Sequence, residues 1–191
     1  MIKKLVFPAR AFNSKYPAIA GGQGEEEMYR LMTVSALVMD PQTNTPIIIL
    51  KDVRDETNLP IWIGLLEATS IATELEQIKF PRPLTHDLMK NVFDHLDVKV
   101  ERVEVCDLKD NTYYALIYLN CRGKIQAIDA RPSDAIALAL RTEAPIYVKE
   151  EVLEKSRKSE DNQVVFLKED KDKLSQLLDS LDPEEFSKYK M

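Results

Sequence analysis

At 191 residues, 45% hydrophobic and 30% charged, the chain is long enough for one sizeable core or two small ones, and too apolar for default disorder. Its formal net charge of −6 excludes bulk attraction to phosphate, so any nucleic-acid contact must come from a local basic patch, and no Lys/Arg cluster of that kind is visible. The start Met1-Ile-Lys-Lys-Leu-Val-Phe7 mimics the basic end of a secretion signal, but Pro8 and Arg10 cut the apolar run short and no stretch could span a bilayer. The expectation is a cytoplasmic protein with no membrane contact.

Residues 1–27, with Gly21-Gly-Gln-Gly24 and Glu25-Glu-Glu27, read as a flexible N-terminal arm. A globular domain is expected over 28–156. Its first half reads as strands over 31–39, 47–51 and 59–63, then a helix over 65–79 with Leu65, Ala68, Ile71, Ala72, Leu75 and Ile78 as its apolar stripe. The segment Phe80-Pro-Arg-Pro-Leu-Thr-His-Asp87 runs into a helix over 85–96, with Leu88, Met89, Val92 and Phe93 expected inward. The second half repeats the first: strands over 98–107, 112–120 and 124–130, then a helix over 133–141. A shift of 67 positions superposes Asp40 on Asp107, Ile61 on Ile128 and Glu67-Ala68 on Asp134-Ala135 without a gap. The fold class is therefore α+β, a mixed β-sheet with helices and an internal duplication of a βββα unit, in which Glu67 and Asp134 become equivalent carboxylates. A short strand over 145–149 and a helical turn over 150–156 complete the domain, and 157–191 reads as a charged linker and amphipathic helical tail.

Cys106 and Cys121 flank a hairpin whose turn lies near Lys109-Asp110-Asn111. Hairpin pairing leaves them roughly 25 Å apart at about 3.3 Å per residue, too far for a disulfide, so both read as reduced, packed thiols. Trp62, Tyr113, Tyr114, Tyr118 and Phe80 could stack on bases, but in a β-rich chain core packing is the preferred reading.

The most informative stretch is Ala127-Ile-Asp-Ala-Arg-Pro-Ser-Asp-Ala-Ile-Ala-Leu-Ala-Leu-Arg141, which sets Asp129, Arg131, Ser133 and Asp134 where a strand turns into a helix. Pro132 suits the first helical position and Asp134 puts a carboxylate near the positive helix end. Residues 135–140 are apolar on every side, which predicts a central, buried helix whose polar start opens onto a cleft or an interface. Arg82-Pro-Leu-Thr-His-Asp87 repeats the same logic. One reading makes both corners phosphate-handling: helix N–H groups and an Arg hold an anion, Glu67, Asp87, Asp129 and Asp134 hold a divalent metal, and His86 acts as general base. The plainer reading is capping, with Thr85 and Ser133 as caps and each Arg paired to an acid; from spacing alone it is preferred. His86 and His95 lie about 2.5 helical turns apart and cannot share a metal. With no nucleophile elbow, phosphate-binding Gly loop, dinucleotide fingerprint or zinc-finger spacing, ATPase, serine-hydrolase and oxidoreductase readings are set aside.

Several of these motifs, in order, resemble the bifunctional nuclease domain family: Leu59-Pro-Ile-Trp-Ile-Gly-Leu-Leu-Glu-Ala68, Arg82-Pro-Leu-Thr-His-Asp-Leu88, Tyr113-Tyr-Ala115, Ile128-Asp-Ala-Arg-Pro-Ser-Asp-Ala-Ile-Ala-Leu-Ala139 and Ala144-Pro-Ile-Tyr-Val148. The resemblance covers about residues 30–155. It implies an α+β domain with a mixed sheet, self-association as a homodimer or higher homo-oligomer, and nuclease activity on RNA and DNA, a phosphodiester hydrolysis. The polar residues inside the matching motifs are Glu67, Arg82, His86, Asp87, Asp129, Arg131, Ser133 and Asp134. In the resulting expectation Glu67, Asp129 and Asp134 position Mg²⁺ or Mn²⁺ and a water, and His86, Asp87 and Asp134 form the catalytic set. Arg82, Arg131 and Ser133 contact the nucleic acid. The alternative is a non-catalytic oligomeric binding or regulatory module. The nuclease reading requires at least three of the four acids to converge with one side open; the module reading requires Arg82 and Arg131 to be paired with acids.

Overall fold

The computed structural model describes residues 5–6 and 28–160. A two-residue strand β1 (Leu5–Val6) precedes a meander of β2 (Tyr29–Met39), β3 (Pro46–Asp52) and β4 (Asn58–Trp62), then the helices α1 (Leu65–Leu75) and α2 (Thr85–His95). A second meander follows, β5 (Val98–Lys109), β6 (Thr112–Cys121) and β7 (Lys124–Ala130), and then α3 (Pro132–Thr142), β8 (Ile146–Lys149) and α4 (Glu150–Glu160). Apart from β1, the arm and the tail over 161–191 lie outside the described residues.

All the strands join one mixed sheet in the order β4-β3-β2-β8-β5-β6-β7, with β1 pairing to β2 beyond the end of β8. Among the described strands only the β5–β8 pair is parallel. Short β8 seals the seam between two antiparallel meanders, each ending in a helix on the same face. The halves thus repeat in space the βββα order read from the sequence; a common origin is not confirmed by this. The hairpin turns follow local chemistry. Asp110-Asn111 both hold positive φ, and so do Arg122-Gly123, as the two-residue turns that match strand twist require. Cys106 and Cys121 are free thiols, Cys121 facing Val98 at the far end of the ladder from Cys106.

The core lies between the sheet and the helices. Ala135, Ile136, Ala137, Leu138 and Ala139 of α3 are all buried, so this helix is enclosed on every side, as its all-round apolar sequence predicted. Ala68, Ile71 and Ala72 of α1 pack with it over the row Met32, Ile146, Val103 and Ile117 running across neighbouring strands, and Val152 and Leu153 of α4 extend the same core over β5 and β8. Each fully buried Ile or Leu contributes about 1.5–3 kcal/mol. Arg30 of β2 ties the rim together through Asp52 (3.2 Å), Asp55 (2.8 Å) and Glu150 (2.7 Å). On the opposite face of the sheet Glu104 is buried against the Arg102 Nε–H at 2.6 Å, while burial and Glu104 together push the Tyr29 hydroxyl well above its ordinary range.

Four expectations change. α1 stops at Leu75, because Gln77 adopts a left-handed conformation and Ile78 N–H bonds back to Thr73. Residues 150–160 form a full helix rather than a turn. In α2 only Phe93 packs against the core: Leu88, Met89 and Val92 are exposed, because α2 sits at the margin of the sheet. Trp62 likewise stands at the surface, donating Nε1–H to Asp40 at 3.2 Å, which corrects its reading as a core residue. Leu138→Ala is expected to lower unfolding free energy in urea by about 2–5 kcal/mol, and Val92→Ala by less than about 0.5 kcal/mol; equal losses would contradict this division of the core.

Candidate functional site

The starts of α1, α2 and α3 meet at one corner. Gly64 caps α1 and Arg131 caps α3, in extended conformations that point the first helical N–H groups outward. Glu67 and Asp134 occupy the same place in their first turns, where the helix dipole favours a carboxylate. Both bind one guanidinium: Arg131 Nη1–H donates to Glu67 Oε1 at 2.8 Å, its Nε–H to Asp134 Oδ2 at 2.8 Å, and its Nη2–H to Asp134 Oδ1 at 3.2 Å. Gly64 makes room for this, since a Cβ there would stand 2.2 Å from Glu67 Oε2. The Arg131 side chain remains 66% exposed, and three hydrogen bonds use only part of its five N–H donors.

Asp134 also faces His86, whose Nε2 lies 3.2 Å from Asp134 Oδ1, while Nδ1 lies 2.9 Å from the Ser70 hydroxyl of α1. Burial pushes the Asp134 carboxyl up, but hydrogen bonds from Arg131 and His86 outweigh it and hold the group below its ordinary value. An ionised carboxylate only accepts, so Nε2 carries the hydrogen, and in the neutral form of the ring Nδ1 is left as the acceptor for the Ser70 hydroxyl. A chain Glu67–Arg131–Asp134–His86–Ser70 thus joins all three helices.

Asp87 belongs to a second tie. It accepts the Leu84 N–H at 2.9 Å, closing the first turn of α2, and the Nε–H of buried Arg141 at 2.5 Å. Arg141 Nη2–H reaches the Ser70 carbonyl at 3.1 Å, so the two ties brace the same turn of α1. Burial raises the Asp87 carboxyl, but the Arg141 and Leu84 bonds leave it below its ordinary value.

Of the expected set, Glu67, His86, Arg131 and Asp134 come together, and Asp87 lies in the adjoining tie. Asp129 does not: it pairs with Leu116 in the β6–β7 ladder, one residue out of step with Ile128 and Ala130, so strand alternation turns it to the face away from α3. Arg82 is exposed in the loop before α2, with no ion pair or hydrogen bond among the described residues, whereas Arg131 is paired with acids. Ser133 is buried rather than open to a ligand, and it is not the cap; nor is Thr85, since Arg131, two positions before Ser133, and Leu84, one before Thr85, hold those places. The arrangement does not fit a divalent ion either. Arg131 occupies the space between the Glu67 and Asp134 carboxylates, and among the described residues no three His, Cys, Asp or Glu side chains are grouped to hold a metal. Sequence reasoning missed Ser70 and Arg141. Ser70 lies three residues beyond Glu67, one turn along the same helix face, which was the available signal.

The fold and site define a mixed-sheet α+β protein with one enclosed helix and a polar cluster where three helices begin. The bifunctional nuclease domain model matches residues 48–161, and the chain belongs to that family. An uncharacterized protein of Mycobacterium tuberculosis is 36% identical over 165 residues, 83% of this chain and 98% of that protein. Bifunctional nuclease 1 of Oryza sativa subsp. indica is 31% identical over 106 residues, 53% of this chain and 32% of its own length; its namesake in Arabidopsis thaliana is 32% identical over 108 residues, 54% and 33%.

The depressed Asp87 pKa sets a sign for pH dependence. Its pairing stabilises the fold above the unfolded carboxyl value near 4 and is lost as pH falls through the lower folded value. Asp87→Asn is therefore expected to cost about 1–3 kcal/mol at pH 7, by thermal unfolding, with the gap to wild type closing as acidification protonates the carboxyl. A gap that acidification leaves unchanged would remove this role.

Proposed function

We propose that the chain is a nuclease that hydrolyses phosphodiester bonds in RNA, DNA or both at the Arg131–Asp134–His86 corner. The observation that carries the reading is the sharing of Asp134: one carboxylate fixes the tautomer of a proton-accepting histidine and holds an arginine beside it. That is a minimal kit for phosphoryl transfer, with His86 moving the proton and the exposed guanidinium meeting developing phosphate charge. Membership of the bifunctional nuclease domain family supports the same substrate class. Because the donor set does not fit an ion, no step is routed through a metal, and Mg²⁺ and Mn²⁺ enter the test as variables. The second reading, a non-catalytic binding module, draws support from the pairing of Arg131 with two acids. Free thiols and the absence, among the described residues, of a helix long and apolar enough to cross a membrane accord with a cytoplasmic setting.

The test is cleavage of labelled single-stranded RNA and DNA by highly purified protein, with and without Mg²⁺ or Mn²⁺, beside folded His86→Ala and Asp134→Asn variants. Activity should fall about 100-fold or more in both. Equal cleavage by all three would assign it to a contaminant and leave the binding module.

The partner expectation also takes a definite form: we infer a homodimer built on β7. This edge strand carries no proline and no bulge, and Lys124–Asp129 are all exposed. The opposite edge, β4, is short and carries Pro60. The buried row Met32–Ile146–Val103–Ile117 ends in Ile128, which is 46% exposed, so the core layer runs out at an edge that no other described strand pairs with. Antiparallel pairing of β7 about a two-fold axis through Ile128 sets it against its counterpart and continues that row. Light scattering should give about twice the 21.9 kDa chain mass for wild type and the single mass for Ile128→Lys. A monomeric wild type, or a dimer that Ile128→Lys leaves intact, would exclude this interface.

A further inference from the structure

We propose that Ser70 is the nucleophile of this site, deprotonated by His86 under the orientation of Asp134; the choice of substrate rests on the nuclease reading, the nucleophile itself does not. Both ring nitrogens of His86 are engaged. Nε2–H points at Asp134 and the lone pair on Nδ1 points at the Ser70 hydroxyl, so the proton His86 is placed to accept is that of Ser70 rather than that of a water. Among the described residues the hydroxyl has no other partner. Its neighbours Thr69 and Thr73 spend theirs on the backbone carbonyls of Leu65 (2.9 Å) and Ser70 (3.0 Å), as helical hydroxyls commonly do, whereas Ser70 Oγ is directed out of α1 towards the histidine.

The residue is also held in place. Its carbonyl accepts from Thr73 Oγ1 at 3.0 Å and from Arg141 Nη2 at 3.1 Å, and Arg141 is anchored by Asp87. Such bracing from a surrounding layer is what fixes a nucleophile to within the tolerance that chemistry needs. A Ser–His–Asp relay is recognised by the roles of its members and not by sequence order, so the missing nucleophile elbow does not count against it; the ring nitrogens are exchanged relative to the familiar relay, with Nδ1 facing the serine and Nε2 the aspartate. Here the serine sits within a helix, and the three residues come from three helices.

The chemistry balances without a co-reactant beyond water. Ser70 Oγ bonds to phosphorus as its proton passes to His86 Nδ1; the P–O bond to the leaving oxygen breaks, and that oxygen takes the proton back from His86. A water then attacks the phosphoserine diester, gives its proton to His86, and Ser70 leaves with that proton. Arg131, on the other side of Asp134, keeps N–H donors free for the non-bridging oxygens.

The test treats the full chain with a fluorophosphonate, which labels activated serines whatever their natural substrate, and maps the adduct by mass spectrometry of the intact protein and its peptides. One adduct on Ser70 is expected, absent in Ser70→Ala and formed about 100-fold more slowly in His86→Ala. In the cleavage assay Ser70→Ala should lose on the order of 10³-fold in rate while unfolding at the wild-type temperature. An adduct on Ser70 without any nucleic-acid cleavage upholds the nucleophile and ends the nuclease reading. Absence of the adduct, or cleavage undiminished in Ser70→Ala, overturns the nucleophile and leaves the nuclease reading to stand on its own assay.

Discussion

The enclosure of α3 governs the rest of the molecule. A helix of Ala, Ile and Leu on every side must be covered all round, and the sheet can cover only one side of it. α1 and α2 supply the remaining cover, so three helices are forced to crowd together, and their polar ends cannot disperse over the surface. Alanine at 135, 137 and 139 lets the neighbouring backbones come close. Close approach in turn brings the first turns of α1 and α3 within reach of one guanidinium.

The corner formed in this way solves an electrostatic problem. Two helix starts each favour a carboxylate, and two carboxylates side by side repel; Arg131 resolves this by bonding to both. Once Asp134 is fixed and ionised it determines the tautomer of His86, and His86 determines where the hydroxyl of Ser70 points. Packing, capping and proton placement are thus one continuous arrangement. Arg141 adds a buried cation that Asp87 neutralises, and its reach to the Ser70 carbonyl locks α1 to the same frame.

The two sheet edges were treated differently by the same sequence. Pro60 and short length blunt β4, while β7 keeps an unbroken register and, among the described residues, an open edge, with Ile125 and Ile128 half exposed, one on each face. The corner begins at Arg131, immediately after that open strand, so whatever covers β7 also borders the polar cluster. The exposed apolar residues of α2 lie on a helix that completes the cover of α3 without being buried itself.

Much of the fold was legible in the chain, for reasons that are local. Period-two alternation and turn pairs such as Asp110-Asn111 fixed the strands of both meanders, Arg131-Pro132 fixed the start of α3, and its all-apolar run fixed its burial. Glu67 and Asp134 could be matched because the two halves share a spacing. What local pattern could not carry was anything depending on three elements at once. That Glu67 and Asp134 meet on Arg131 rather than on a metal is a matter of side-chain placement across 64 residues. That Asp129 faces away depends on strand parity relative to a helix packed later in the chain. The outward turn of Leu88, Met89 and Val92 depends on where α2 lands at the sheet margin, because an amphipathic pattern states which face is apolar but not whether a surface exists to receive it. Sequence alone determined the elements, the enclosed helix and most members of the polar cluster, since these follow from the chain's own periodicity. Only tertiary structure decided their partners and added Ser70 and Arg141, since a hydrogen bond between residues far apart in the chain has no signature until packing brings them together.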